Sequence, residues 1–307
     1  MRKLFHGIAA LGAMVGLAAC SVSAPVSGGS GGSAASSASA AGEAGAASTG
    51  SAQGSGVDDG VFTVAMEAAY APYNWAQPTD AHGAVPIKDS TMYANGYDVM
   101  TAKAIAQANS WKLEIVQLQW DSLIPAVQSG TVDAVIAGQS ITAERRKQVD
   151  FAGPYLYANI VVLTKKDSKF ADAAGVSGLA GGKATSQSGT VWYDSLIPQI
   201  KNVQRQAPSD DAPAMLMVLQ TGQVDYVVTD MPTAQGAVLA YPDMKILDFT
   251  DTNDNFKVSD EDVNIGISVR KGNTALKDAI DAYLKTQTPD DFNARMKDAV
   301  KIQPMGN

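Results

Sequence analysis

IPAVQSGTVDAVIAGQS, Ile124 to Ser140, and MLMVLQTGQVDYVVTDM, Met215 to Met231, echo each other, with Gly130 and Gly222 standing 92 residues apart. Each stretch reads as the end of an apolar helix, a glycine just past it, an aspartate (Asp133, Asp225) and a short β-branched strand buried on both faces. Each strand runs out into polar residues: Gly138-Gln139-Ser140 in the first copy, Thr229-Asp230 in the second. In open α/β sheets, ligands sit outside the carboxyl ends of the strands. Two helix-turn-strand units can arise independently in any α/β chain. Taken as a true repeat, they predict two similar lobes with a ligand in the crevice between them.

The flanking sequence supports an α/β fold. Val61 to Met66 alternates as a strand, Tyr97 to Ala108 has helical spacing, and Leu113 to Val116 returns to a strand pattern. The alternation continues to two C-terminal helices near Thr274 to Lys285 and Pro289 to Val300. The 307 residues are 46% hydrophobic and 18% charged, a composition that supports a packed core. A net charge of -8 argues against nucleic acid as a partner, because phosphate binding needs a basic footprint.

The amino terminus carries a different message. Arg2 and Lys3 precede an apolar run, Leu4 to Ala19, that ends at Leu17-Ala18-Ala19-Cys20. A positive head, a run short for a membrane span and small residues at its end describe an export signal, with a membrane anchor as the alternative. LAAC resembles the lipobox of bacterial lipoproteins, which implies cleavage before Cys20, a diacylglyceryl group on its sulfur and a place on the outer face of the cell membrane. Residues 21–57 contain 30 Gly, Ala or Ser among 37, a composition expected to form a flexible tether with a reach of roughly 30–35 Å. Cleavage would raise the negative charge to -10 and leave His82 as the sole imidazole, with no unlipidated thiol. Nucleophilic catalysis and histidine or cysteine metal sites are then short of ligands, and no cofactor is implied.

Longer motifs narrow the reading. VDAVIAGQSITAERRKQVDFAGPY (Val132 to Tyr155) resembles the signature of family 3 extracellular solute-binding proteins, the polar amino-acid group of ABC importers. VAMEAAYAPYNW (Val64 to Trp75), GYDVMTAKAIA (Gly96 to Ala106), WDSLIPAVQSG (Trp120 to Gly130), QSGTVWYD (Gln187 to Asp194) and IGISVRKGNTALKDAI (Ile265 to Ile280) follow in the family's order. The resemblance implies a two-lobed, type II periplasmic-binding-protein-like fold. The first lobe would comprise residues 58–158 and 263–307, and the second residues 159–262. Crossover strands would lie near Tyr157 to Val161 and Ser259 to Ile265. Lobe closure on a free amino acid would then be read by the subunits of an ABC permease.

Site residues carry over one at a time as implications of that resemblance. Arg145 would grip the ligand α-carboxylate, which suits a planar guanidinium. Ser140 would add its amide and hydroxyl, and Gly138 its carbonyl. Thr190 and the Val191 amide would complete the carboxylate clamp at a helix start expected over Thr190 to Ile197. Asp230 would take the α-ammonium while capping the helix at Met231-Pro232. Glu67, Tyr70 and Trp120 would hold the side chain, with Tyr73, Gln139 and Gln187 as further wall candidates. Plainer roles stand beside these: a solvated charge for Arg145, core packing for the aromatics, and a helix cap alone for Asp230.

Glu67, Arg145 and Asp230 sum to -1, so a cationic side chain (Arg, Lys or His) would neutralise a closed cleft, whereas a neutral zwitterion would not. Glutamine remains open, because Glu67 can also accept from an amide. Two further readings stand: a lyase or dehydratase using Glu67 or Asp230, and a surface sensor or adhesin with a vestigial cleft. The sequence departs from the family pattern in the long stretch Asn74 to Asn95, and at Gln139 and Trp192.

Overall fold

Two five-stranded sheets share one plan. In the first, Val61–Met66 lies between Lys112–Gln117 and Ala134–Val135, parallel to both; Asn264–Val269 runs antiparallel beside Ala134–Val135, and Asp150–Tyr157 forms the far edge. In the second, Lys183–Thr185 lies between Gln204–Arg205 and Tyr226–Asp230, again parallel; Ile160–Lys165 runs antiparallel beside Tyr226–Asp230, and Met244–Leu247 forms the edge. The computed structural model describes residues 57–304. The expected signal peptide, Cys20 and the tether up to residue 56 lie outside the described residues. Val57, expected to close the tether, is instead buried in the first-lobe core, as its apolar side chain favours.

The repeat is built the same way twice. Gly130 (φ 77°) and Gly222 (φ 73°) take the left-handed turn that ends each helix, a conformation that strains any residue with a Cβ. Asp133 then exchanges hydrogen bonds with Thr63: its amide donates to the Thr63 carbonyl (2.9 Å) and its carboxylate accepts from the Thr63 amide (2.8 Å). Asp225 makes the same pair with Lys183, at 2.8 and 2.7 Å. Each aspartate thus pins its strand to the start of the neighbouring parallel strand, and register follows: Val64 faces Ala134, and Ala184 faces Tyr226. All five residues of Tyr226–Asp230 are buried, because helices cover both faces of the sheet.

The chain passes between the sheets at Ala158-Asn159 and returns through Asp260–Val263, a single helical turn with a capping box from Ser259 and Asp262. The two passages pair with each other, Asn264 opposite Tyr157, and the Ala158 amide donates to Val263 (2.9 Å). The helices Thr274–Leu284 and Pro289–Ile302 pack against Asp150–Tyr157 of the first sheet. Leu276, Ile280 and Leu284 recur every fourth residue on the buried face, as an amphipathic helix requires. The long stretch Asn74 to Asn95 folds as part of a small antiparallel sheet of Ala69–Tyr70, Asn74–Gln77, Val85–Pro86 and Tyr93–Asn95, which meets the first lobe at Ile87 and Ile115.

Candidate functional site

Both sheets reverse strand order at their second strand, and the carboxyl ends there face one crevice. Glu67 and Tyr70 follow Val61–Met66, Gly138 to Arg145 follow Ala134–Val135, Gln187 to Thr190 follow Lys183–Thr185, and Asp230 ends the central strand of the second sheet. Topology alone therefore gathers residues from four distant parts of the chain.

Asp230 is fully buried and reads in both directions across the cleft. One carboxylate oxygen caps its own helix, accepting from the Thr233 amide at 2.9 Å. The other accepts the hydroxyls of two first-lobe tyrosines, Tyr73 at 2.8 Å and Tyr70 at 3.4 Å. The two rings stack with centroids 4.7 Å apart, and Thr233 donates its hydroxyl to the Tyr70 oxygen at 3.1 Å. Burial raises the Asp230 carboxyl above the usual carboxylate range, against the hydrogen bonds that hold it ionised. Burial, and then the Asp230 charge, push both tyrosines well above their ordinary value, so they act as donors. Gly138 lies against these rings. A Cβ there would approach Tyr70 Cε1 to 2.9 Å and Tyr73 Cδ1 to 3.2 Å, and its φ of 64° independently favours glycine.

Arg145 sits in the short helix Ala143–Gln148, capped by Thr142. Its guanidinium reaches both lobes, donating to the Ser140 carbonyl and to the Gly189 carbonyl, each at 3.0 Å. It lies 5.4 Å from the centre of the Trp120 ring, within cation-π range. Burial pulls it down to about 10, still cationic at neutral pH, and it makes no ion pair among the described residues. Two of its five donors are engaged, leaving a charged fork in the cleft with capacity for an anion.

Glu67 is buried, and one of its carboxylate oxygens has no hydrogen-bond partner. Burial pushes it up to about 7, with Asp211 adding to the rise, the neighbouring Gln187 side chain opposing it and Asp121 adding a smaller push. The Gln187 side-chain nitrogen is likewise buried without a well-aligned partner. A buried polar atom without a partner is costly, so this pair marks a place where a ligand group would be rewarded. Tyr70, Trp120, Gly138, Ser140, Arg145, Gln187, Thr190 and Trp192 enclose a cavity of about 10 Å³, room for roughly one water. Outside it opens a groove of about 690 Å³ whose walls include Asp121, Glu144, Asp194, Glu261 and Asp262. Trp120, Arg145 and Thr190 line both spaces and form the partition between them.

Not every candidate reaches the cavity. Gln139 turns its side chain to Ser268 in the first sheet (2.9 Å), and Val191 lines the outer groove. Thr190 bonds back to the Gln187 carbonyl at 2.7 Å. The helix expected over Thr190 to Ile197 is irregular: a π-turn at Trp192–Leu196 followed by a 3-10 turn at Ile197–Gln199, with Pro198 unable to donate. Tyr73, a secondary wall candidate, makes the shorter bond to Asp230. Trp192 enters the cavity wall from the second lobe; a large aromatic beside Gly189-Thr190 was its sequence signal. His82 is exposed in a short turn away from the cleft. No cluster of metal-ligating side chains occurs among the described residues.

With this geometry in place, kinship is decisive. Residues 62–299 match the bacterial extracellular solute-binding proteins, family 3. The chain belongs to this family. A probable histidine-binding protein of Neisseria gonorrhoeae is 30% identical over 244 residues, 76% of this chain and 82% of that protein. An amino-acid ABC transporter substrate-binding protein of Streptococcus pneumoniae, solved bound to L-arginine, matches with a TM-score of 0.65 at 27% identity, over 79% of this chain and 95% of its own. An ancestral arginine-binding protein, solved with glutamine and with arginine, matches with a TM-score of 0.61 at 31% identity, over 78% of this chain and 97% of its own. The family consists of substrate-binding transport proteins, so the lyase reading falls: this family 3 protein is not an enzyme.

Proposed function

We propose that this family 3 protein captures a free amino acid with a cationic side chain between its lobes and presents it to an ABC permease. The observation that carries the reading is a cation and a carboxyl that both lack partners around one cleft: Arg145 without an ion pair among the described residues, and buried Glu67, next to the cavity-lining Gln187, with one oxygen that has no hydrogen-bond partner. Arg145 would take the α-carboxylate, with Ser140, Thr190 and the Val191 amide as further donors. Asp230 would take the α-ammonium, assisted by the Gly138 carbonyl, as the Tyr70 and Tyr73 hydroxyls make room. Tyr70, Trp120 and Trp192 would flank a side chain whose positive end meets Glu67. A cavity of about 10 Å³ cannot hold an amino acid, so the lobes must part for entry and close on the ligand.

One observation favours a second ligand. The Gln187 nitrogen is an unpaired donor beside the Glu67 acceptor, and a carboxamide would satisfy both, as glutamine offers. The similar ancestral protein has been solved with both glutamine and arginine.

Melting the protein with each amino acid in turn tests the reading. Ligand at about a thousand times Kd stabilises by roughly 4 kcal/mol, which at this size raises Tm by roughly 8–16 °C. A shift with Arg, Lys or His supports the cationic reading; a shift confined to Gln replaces it with the second; silence across the set rejects both. For localisation, the Cys20 sulfur is proposed to carry a lipid that moors the protein to the outer face of the cell membrane, with residues 21–56 as the leash. Cys20→Ser should then move the protein from the membrane fraction to the medium, and unchanged fractionation would reject the anchor.

A further inference from the structure

Behind the cleft floor, the helix Tyr97–Ala108 begins against the loop that carries Tyr73. The amides of Tyr97 and Asp98 donate to the carbonyls of Pro72 (3.1 Å) and Tyr73 (2.8 Å). The Asp98 carboxylate is fully buried and divides its two oxygens between two arms. One oxygen accepts from the Asn74 side-chain amide at 2.7 Å, and Asn74 in turn accepts from the Ala68 amide at 2.7 Å. Ala68 stands next to Glu67 at φ 51°, a conformation an alanine holds only when its surroundings impose it. The other oxygen accepts from the Tyr155 hydroxyl at 2.6 Å, and that hydroxyl accepts from the Gly138 amide at 3.1 Å.

We propose that Asp98 is the positioning residue of the binding site, fixing through Asn74 the loop that carries Glu67 and Tyr70, and through Tyr155 the loop that carries Gly138 and Ser140. It touches no ligand in this scheme. Each first-lobe loop has its own backbone anchor, Ala76 donating to Ala68 (2.8 Å) and Gly266 to Gln139 (2.9 Å), and the Asp98 carboxylate is the buried group that ties the two loops to each other through side chains. A carboxylate suits the place best: an amide has one acceptor oxygen, and its N–H turned on Tyr155 would leave that hydroxyl without an acceptor while it already accepts from Gly138. Burial pushes the group up to about 7 against the bonds from Tyr155 and Asn74, a sign of how strongly the fold commits a polar group here. A purely structural acid in the first turn of a helix would favour the helix dipole at the surface; this one points inward to the two loops.

The inference rests on the proposed amino-acid binding, and the test separates the two. L-arginine affinity is measured by calorimetry for Asp98→Asn, Tyr155→Phe and the double variant, alongside amide hydrogen exchange at Gly138 and Ala68 in the ligand-free protein. Asp98→Asn should weaken binding about ten- to a hundredfold and Tyr155→Phe about tenfold. The double variant should be no worse than Asp98→Asn, because Tyr155 acts through one of the two arms that Asp98→Asn already releases. Exchange at Gly138 should quicken in every variant, and Ala68 should stay protected in Tyr155→Phe. Lowered melting temperatures with unchanged affinity, additive losses, or an unmoved Gly138 amide would each overturn the proposal. If Asp98→Asn fails to fold, Tyr155→Phe decides through affinity: a quickened Gly138 amide with about tenfold weaker arginine binding supports the proposal, and the same quickening with unchanged affinity overturns it. If the unaltered protein binds neither arginine nor glutamine, the functional reading fails while the two amides still judge Asp98.

Discussion

The strands Ala134–Val135 and Tyr226–Asp230 begin with the same aspartate-to-neighbour hydrogen-bond pair and end in different chemistry. In the first lobe the strand stops after two residues, turns through Gly138 and reaches a short helix that carries Arg145. In the second lobe the strand runs on to Asp230, which caps the next helix directly. One scaffold thus delivers a cation from its first copy and a buried carboxyl from its second to the same crevice. Gly138 and Asp230 stand at equivalent places, five residues after the shared aspartate, so the charge that arrives is decided by the residue there and by the segment that follows, which in the first lobe leads on to Arg145.

The largest expected effect comes from erasing the first lobe's contribution. Arg145→Ala should weaken amino-acid binding by about a thousandfold or more, as loss of one partner from a desolvated charge pair commonly costs several kcal/mol. Calorimetry against arginine and glutamine checks it, and both ligands should suffer alike because both carry the α-carboxylate. Retained affinity for either would assign the carboxylate to another donor.

Glu67 sharpens the comparison on the side-chain end. Glu67→Gln should cost arginine about a hundredfold and glutamine less than tenfold. The pH dependence follows from its rise to about 7. A raised folded-state carboxyl gives stability that is full below the ordinary carboxyl range and is lost as pH climbs through 7. The ligand-free protein should therefore melt lower at pH 8 than at pH 5, with Asp98 contributing in the same direction. A bound cation favours ionised Glu67, so arginine affinity should rise with pH up to about 7, by at most about tenfold per unit. Glu67→Gln should flatten that rise. An arginine affinity that is flat from pH 5 to 8 in the unaltered protein would break the charge assignment.

These residues differ in how visible they were before folding. The repeat exposes the two-lobed plan because Gly130, Asp133, Gly222 and Asp225 do backbone work that tolerates few substitutes. Arg145 stands out within a long motif. Asp98 does not: an acid in the first turn of a helix has an ordinary explanation in the helix dipole, and its partners Asn74 and Tyr155 lie 24 and 57 residues away. The ranking of Tyr73 below Tyr70 had the same origin. Which hydroxyl reaches Asp230 depends on a loop held by the helix start at Tyr97, and no local pattern reports it. The irregular turn at Trp192–Leu196 escaped because apolar spacing there fits an ordinary helix.

Tyr73 offers a gentler break, at the seam between the lobes. Tyr73→Phe removes the 2.8 Å bond to buried Asp230, a hydrogen bond to a charged group worth about 1.5–3 kcal/mol. The ligand-free Tm should fall by roughly 3–12 °C. Saturating ligand should narrow the gap, because the α-ammonium then supplies the donor that Tyr73 provided. A gap that stays constant with ligand would place the ammonium away from Asp230.

The smallest effect tests whether the two lobes are equivalent in construction. Asp133→Ala and Asp225→Ala each delete one carboxylate-to-amide bond, of 2.8 and 2.7 Å, at the start of a parallel strand pair. Both sites are only partly buried, so each loss should be about 1–2 kcal/mol, a Tm decrease of roughly 2–8 °C. The two are far apart in the chain and share no partner, so the double variant should show the sum. Neither residue touches the cleft, and amino-acid affinity should stay within about twofold in both. If Asp133→Ala alone lowered affinity, strand position in the first lobe would be felt at Gly138, and the lobes would be alike in plan but unequal in stiffness. Equal melting shifts with unchanged affinity would confine the asymmetry of the molecule to the residues beyond the strand ends.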